Sequence, residues 1–141
     1  MGTILETVAT LAAGIFTGAA VYVNLVEHPA RVECGTKFAV TEFGPSYRRA
    51  SVMQASLAAV GFVTATTAWL MGSSLWWFVG GICLGSVIPF TLILIMPINR
   101  KLLRAEMDNE SELTVLLRKW NRLHAVRSFL SLIAFLIFLE A

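Results

Sequence analysis

The sequence is short of charge: Asp, Glu, Lys and Arg make up 14% of its 141 residues, where a soluble domain carries about 25%. With 57% hydrophobic residues, the chain has no room for a soluble core besides its apolar segments. It is also poor in cysteine. Cys34 and Cys83 are the two, and they form no CxxC pair, which excludes a thiol–disulfide redox motif. Cys34 falls in a loop and Cys83 near the middle of an apolar segment, so different membrane depths speak against a disulfide between them. No Lys or Arg precedes the first apolar run, which argues for a retained helix over a signal peptide. The polar–apolar alternation of a β-barrel is missing as well.

What is present is four apolar segments, Thr3–Val26, Ala50–Met71, Leu75–Met96 and Asn121–Leu139. Each is about 20 residues, the length a helix needs to cross about 30 Å of hydrocarbon. The expected fold is an all-α, multi-pass integral membrane protein: one four-helix transmembrane domain over residues 1–141, with helices at about 3–27, 50–71, 75–97 and 112–139.

All eleven basic residues fall on one face of that topology. Arg31, Lys37, Arg48 and Arg49 lie in the first connection, and Arg100, Lys101, Arg104, Arg118 and Lys119 in the third. Arg122 and Arg127 open segment four, whereas the turn Gly72-Ser73-Ser74 is uncharged. The positive-inside rule makes the basic face cytoplasmic and puts both termini on the lumenal or extracellular side. Asn109-Glu110-Ser111 reads as a glycosylation sequon that this orientation leaves unused. As a structural signal it is a capping box, Asn109 with Glu112, that starts helix four ahead of the membrane. The helix then enters near Trp120, which suits an interfacial belt.

Gly14-x-x-x-Gly18 and Gly81-x-x-x-Gly85 let helices approach closely, either within the bundle or across a homodimer. Pro89 should kink helix three and free the carbonyl of Gly85.

Polar residues at membrane depth carry the functional information, because lipid makes them expensive. Asn24, Glu27 and His28 are spaced to share a face at the end of helix one. Asn121, His124, Arg127, Ser128 and Ser131 line one face of helix four. Pro97 and Asn99 end helix three, and Tyr47, Arg48 and Gln54 open helix two. All these groups meet at the basic end. They imply a polar chamber roofed by the first and third connections and opening below into an apolar cavity.

In such a chamber His28 and His124 can move protons. Arg127 can hold a developing oxyanion with help from Asn24, Asn99 and Asn121. Each has a plainer reading: Arg127 snorkelling to lipid phosphates, Glu27 paired with an Arg, His28 capping helix one, the amides joining helices. His28, His124 and Glu27 could also form a metal facial triad, although no His-x-x-x-His or Glu-x-x-His pair supports it.

Four pieces carry a family resemblance. They are Asn24-Leu25-Val26-Glu27-His28-Pro29-Ala30, Pro45-Ser46-Tyr47-Arg48-Arg49, Met96-Pro97-Ile98-Asn99, and Trp120-Asn121-Arg122-Leu123-His124-Ala125-Val126-Arg127. In order and spacing they resemble the DUF1772 family, which includes the fungal anthrone oxygenases. The resemblance implies a four-helix membrane bundle and an oxygenase acting on an apolar phenolic such as an anthrone. It implies no added flavin, haem or metal.

The residues expected to serve are His124, His28 and Arg127 in catalysis. Asn24, Tyr47, Gln54, Asn99, Trp120 and Asn121 are expected to bind substrate. The expected partners are membrane lipids and a hydrophobic small molecule, and no nucleic acid. A competing reading is a non-enzymatic scaffold in which the same groups hold a lipid, a quinone or a partner membrane protein.

Overall fold

A computed structural model of the protein describes residues 2–105 and 109–141. Four helices, Thr3–Glu33, Thr36–Leu70, Leu75–Leu103 and Glu110–Glu140, are each long and apolar enough to cross a membrane. The described residues contain no strand. Successive helices are antiparallel. Helix one packs on helices two and four, and helix three packs on the same two, which closes a four-cornered bundle. Large apolar side chains such as Leu25, Val52, Leu70 and Ile93 face outward, as lipid contact requires.

The helices outrun the segments read from hydropathy. Helix two starts at Thr36 rather than near Ala50, and the first connection shrinks to Cys34 and Gly35, the latter at φ 103°. The stretch before Ala50 looked like a loop because of its charges and Pro45. It is an amphipathic helix whose buried Ala39, Val40 and Phe43 share one face, while Pro45 points outward. Helices one and three likewise run on to Glu33 and Leu103. Helix four begins as the capping signal indicates: the Asn109 side-chain oxygen accepts the Glu112 N–H at 3.3 Å, and its amide donates to the Glu112 carboxylate at 3.2 Å.

At 1.5 Å per residue helix two is about 52 Å long, against about 30 Å of hydrocarbon. The extra length forms a helical cap at the basic end. Two cores result. One, inside the membrane-spanning part, is built from Ala9, Ala13, Phe16, Leu84, Trp77 and Phe138 among others. The second, in the cap, holds Phe43, Ile98, Leu102, Leu113 and Leu117.

The glycine pairs serve contacts within the bundle, save for Gly18. A Cβ on Gly81 would stand 3.3 Å from that of Ala65, and one on Gly85 3.0 Å from the Phe62 ring. Gly14 meets Phe135 at 3.0 Å, whereas Gly18 has nothing within 4 Å. At the far end the Ser73 hydroxyl donates to Glu6 at 2.7 Å, tying the tight turn to helix one. Both cysteines are free, Cys34 exposed in its turn and Cys83 inside helix three.

Helices one and three each contain a π turn, Val23–Glu27 and Thr91–Ile95. Each ends one residue before the residue that precedes a proline, Pro29 and Pro97. In both, the residue before the proline bonds five residues back, His28 N–H to Val23 and Met96 N–H to Thr91. Proline has no N–H and crowds the carbonyl four residues earlier, and a widened turn relieves that conflict. Helix three is further interrupted at Ser86, ahead of Pro89, where the kink is expected.

Candidate functional site

A cavity of about 150 Å³ lies between the two cores. Phe16, Ala58 and Val87 of the membrane core form one side, and Val23, Phe43 and Trp120 of the cap core form the other. Most polar groups enter the wall from helices two and four, Ser46, Tyr47 and Gln54 from the former and His124 and Arg127 from the latter; Arg31 enters from helix one and Thr91 from helix three. The site is therefore an apolar chamber with a few placed polar groups, the usual make-up of a small-molecule pocket.

Helix four places His124 and Arg127 on this wall. His124 is 2% exposed, and among the described residues neither ring nitrogen completes a hydrogen bond; the Ala20 carbonyl lies alongside without doing so. The imidazole stacks on Trp120 with ring centres 4.8 Å apart and planes at 11°. Arg127 lies one turn further into the membrane. Its guanidinium donates to the Gln54 side-chain oxygen at 2.8 Å and sits 5.5 Å over the Phe16 ring. Among the described residues no carboxylate lies within ion-pairing distance of Arg127. Its charge is thus held by one neutral acceptor and one aromatic face, so it remains available to an anion in the cavity.

The other expected site residues divide by position. Tyr47 and Trp120 are on the wall; the Tyr47 hydroxyl meets the Met96 sulfur at 3.5 Å. Asn99 stands behind Trp120, accepting its indole N–H at 2.8 Å. His28 is also off the wall, buried and stacked on Trp120 at 5.5 Å. Asn24 and Asn121 are off the wall too, and they bind each other. The Asn24 amide donates to the Asn121 side-chain oxygen at 2.7 Å and to its carbonyl at 3.1 Å, and its oxygen accepts the Ser128 hydroxyl at 2.5 Å. They join helices one and four along a seam. Ser131 turns back on the Ser128 carbonyl at 3.0 Å.

Asn24, Glu27 and His28 were expected to share a face; Asn24 and His28 both meet helix four, and the π turn is why Glu27 does not. One extra residue in a turn rotates the rest of the helix by about 100°. Asn24 meets helix four, while Glu27 turns to Arg31 and to Ser46 of helix two, whose hydroxyl donates to it at 2.6 Å. Glu27 is thus engaged away from His124. Among the described residues no three His, Cys, Asp or Glu side chains are grouped to hold a metal ion, the set His28, His124 and Glu27 included.

Arg31, expected in the first connection, is a wall residue near the end of helix one. It is 4% exposed, pairs with Glu27 and, at 2.9 Å, with Glu42, and lies 6.0 Å over the Trp120 ring. The Glu27-x-x-x-Arg31 spacing is the sequence signal for it, an i,i+4 ion pair. Ser46 was missed as a wall residue although it lies in a piece that carries the resemblance, and the Phe16 and Phe43 rings have no mark in the sequence beyond their positions.

No curated protein and no solved structure matches the chain. The anthrone oxygenase family matches residues 43–137, from the cap part of helix two through helix three and nearly all of helix four. That stretch carries Tyr47, Gln54, Trp120, His124 and Arg127 on the cavity wall, and it spans more than half of the sequence: the chain belongs to the anthrone oxygenase family.

Proposed function

We propose that the protein is a membrane-embedded oxygenase that oxidises an apolar phenolic of the anthrone class with O2, using no added flavin, haem or metal. The observation that carries this reading is the buried His124 imidazole, one turn from Arg127, in a mostly apolar chamber; among the described residues neither ring nitrogen has a hydrogen-bond partner and Arg127 has no carboxylate partner.

A cavity-facing nitrogen of His124 takes the acidic C–H proton of the anthrone as general base. Arg127, oriented by Gln54, stabilises the anion whose charge moves onto the carbonyl oxygen. The electron-rich carbon gives electrons to O2, which partitions into the apolar cavity, and a C–O bond forms. The peroxide oxygen recovers the proton from the imidazolium. Loss of water then leaves a second carbonyl. One anthrone and one O2 thus become one quinone and one water, the substrate losing two hydrogens and gaining one oxygen. Trp120 stacks on the His124 imidazole and so fixes the plane of the base. With the basic end read as cytoplasmic, the chamber lies in the cytoplasmic leaflet.

The test is to incubate purified protein with an anthrone under air and follow quinone absorbance. Wild type should exceed the blank, and His124→Ala should lose about a hundredfold or more, as expected for removal of a general base. Equal rates for wild type, variant and blank would sink the reading. Tight anthrone binding without turnover would support a scaffold that only holds an apolar ligand.

A further inference from the structure

The cavity wall is incomplete on one side, and that side faces lipid. Among the wall residues Ala55 and Leu92 are exposed, Leu92 at 58%, and Ala50, Ser51 and Ile88 are half-exposed. All five belong to helices two and three. Toward the termini these helices are locked together: Gly61 abuts Leu84, Gly81 abuts Ala65, and Gly85 abuts Phe62. At the basic end they meet again, where Tyr47 reaches Met96 and Gly44 lies 3.7 Å, at its Cβ position, from Leu103. Between these two closures helix three is broken at Ser86 and widened over Thr91–Ile95, and that widened turn does not pack extensively on helix two. The gap is therefore a window with a closed top and bottom.

Its depth identifies the phase it opens to. At 1.5 Å per residue Ala55 stands about 9 Å along its helix from Arg49, and Leu92 about 12 Å from Arg100. The basic ring marks the headgroup level, so the window opens below it, into hydrocarbon.

We propose that the window between helices two and three, flanked by Ala55 and Leu92, is the route by which a flat, lipid-soluble aromatic substrate passes between the bilayer and the cavity. The substrate class rests on the function proposed above; the route itself does not. An apolar molecule concentrated in the membrane reaches His124 and Arg127 without crossing the charged cap, and the small side chain of Ala55 sets the width that a ring can pass edge-on. Ala55 and Leu92 are then specificity-determining residues, acting on passage rather than on chemistry.

The experiment uses the full chain in lipid nanodiscs. Under argon, binding and release of an anthrone are followed by its own fluorescence in wild type, Ala55→Trp, Leu92→Trp and the control Ile93→Trp. Ile93 is 69% exposed and off the cavity wall. The two window variants should slow both association and dissociation about tenfold each, and the control should match wild type. Wild-type rates in both window variants would overturn the proposal.

A second measurement needs no substrate. Thr91→Cys, in a chain carrying Cys34→Ser and Cys83→Ser, is exposed to N-phenylmaleimide dissolved in the nanodisc lipid. Adding Ala55→Trp should slow labelling about tenfold, while Ile93→Trp should not. Labelling untouched by Ala55→Trp refutes the window even where an anthrone is turned over. Slowed labelling upholds the window even where an anthrone neither binds nor reacts, and in that case it is the proposed function that fails.

Discussion

Replacing Asn24 with leucine should weaken the bundle by about 2 kcal/mol and leave the cavity working. Asn24 makes three polar contacts across the seam: to the Asn121 side chain at 2.7 Å, to the Asn121 carbonyl at 3.1 Å, and from Ser128 at 2.5 Å. Measured interhelical hydrogen bonds in membranes average about 0.6 kcal/mol, so three of them give about 2 kcal/mol. Leucine keeps the branching at Cγ and removes the donor and the acceptor together. Ser128 has a fallback in the His124 carbonyl at 3.3 Å, which makes the figure an upper one. Unfolding titrated with SDS in mixed micelles and followed by far-UV circular dichroism measures the loss. A cycle with Ser128→Ala isolates the Asn24–Ser128 part, which should account for about a third of it. A loss under about 0.5 kcal/mol would show that the seam does not hold the helices. A stable Asn24→Leu protein without turnover would return Asn24 to the substrate.

Gln54→Leu removes the side-chain oxygen that accepts from Arg127, a bond to a charged group. Such bonds are worth about 1.5–3 kcal/mol, so kcat/KM for an anthrone should fall about tenfold to a hundredfold while the far-UV spectrum stays unchanged. An unchanged kcat/KM would mean that Gln54 does not orient the guanidinium. Arg31→Met leaves Glu27 and Glu42 facing each other unpaired in the cap. Both carboxylates keep a quarter to a third of their exposure, so the loss should be about 2 kcal/mol rather than the 3–5 kcal/mol of a fully buried pair. Adding Glu27→Gln and Glu42→Gln should restore most of that stability in the same SDS titration; no recovery would show that Arg31 acts through packing on Trp120 instead.

The membrane-spanning architecture was legible because hydropathy and charge report directly on lipid contact. Leu75–Met96 is uncharged throughout, and all the basic residues cluster at one end, so the helix count and the shared basic end follow from the sequence pattern alone. The cap was not legible in the same way. Thr36–Arg49 is amphipathic and mixes Lys37, Glu42 and Pro45 with its buried Ala39, Val40 and Phe43, and a search for apolar runs passes over it. In the site, His124 and Arg127 were found because helix four is continuous and the spacing of three and four holds along it. Glu27 turns away from Asn24 and His28 because helix one is not. A π turn leaves no mark in hydropathy; here the one hint is the proline just beyond it.

The two π turns also explain why the cavity sits where it does. Both end just ahead of a proline, on the two diagonal helices, at the boundary between the membrane core and the cap core. A regular helix would carry one packing face from the first core into the second and fill the space between them. The extra residue in helix one shifts that face, so that Asn24 closes the seam with helix four while Arg31, about two turns beyond, points back over Trp120. The extra residue in helix three moves its backbone off helix two, and Thr91 and Leu92 end up beside open space. Helices two and four run through the same level unbroken and supply the groups that need fixed positions: Gln54 from one, His124 and Arg127 from the other. The division of labour is physical. Irregular helices create the void and its opening, and regular helices hold the chemistry in register.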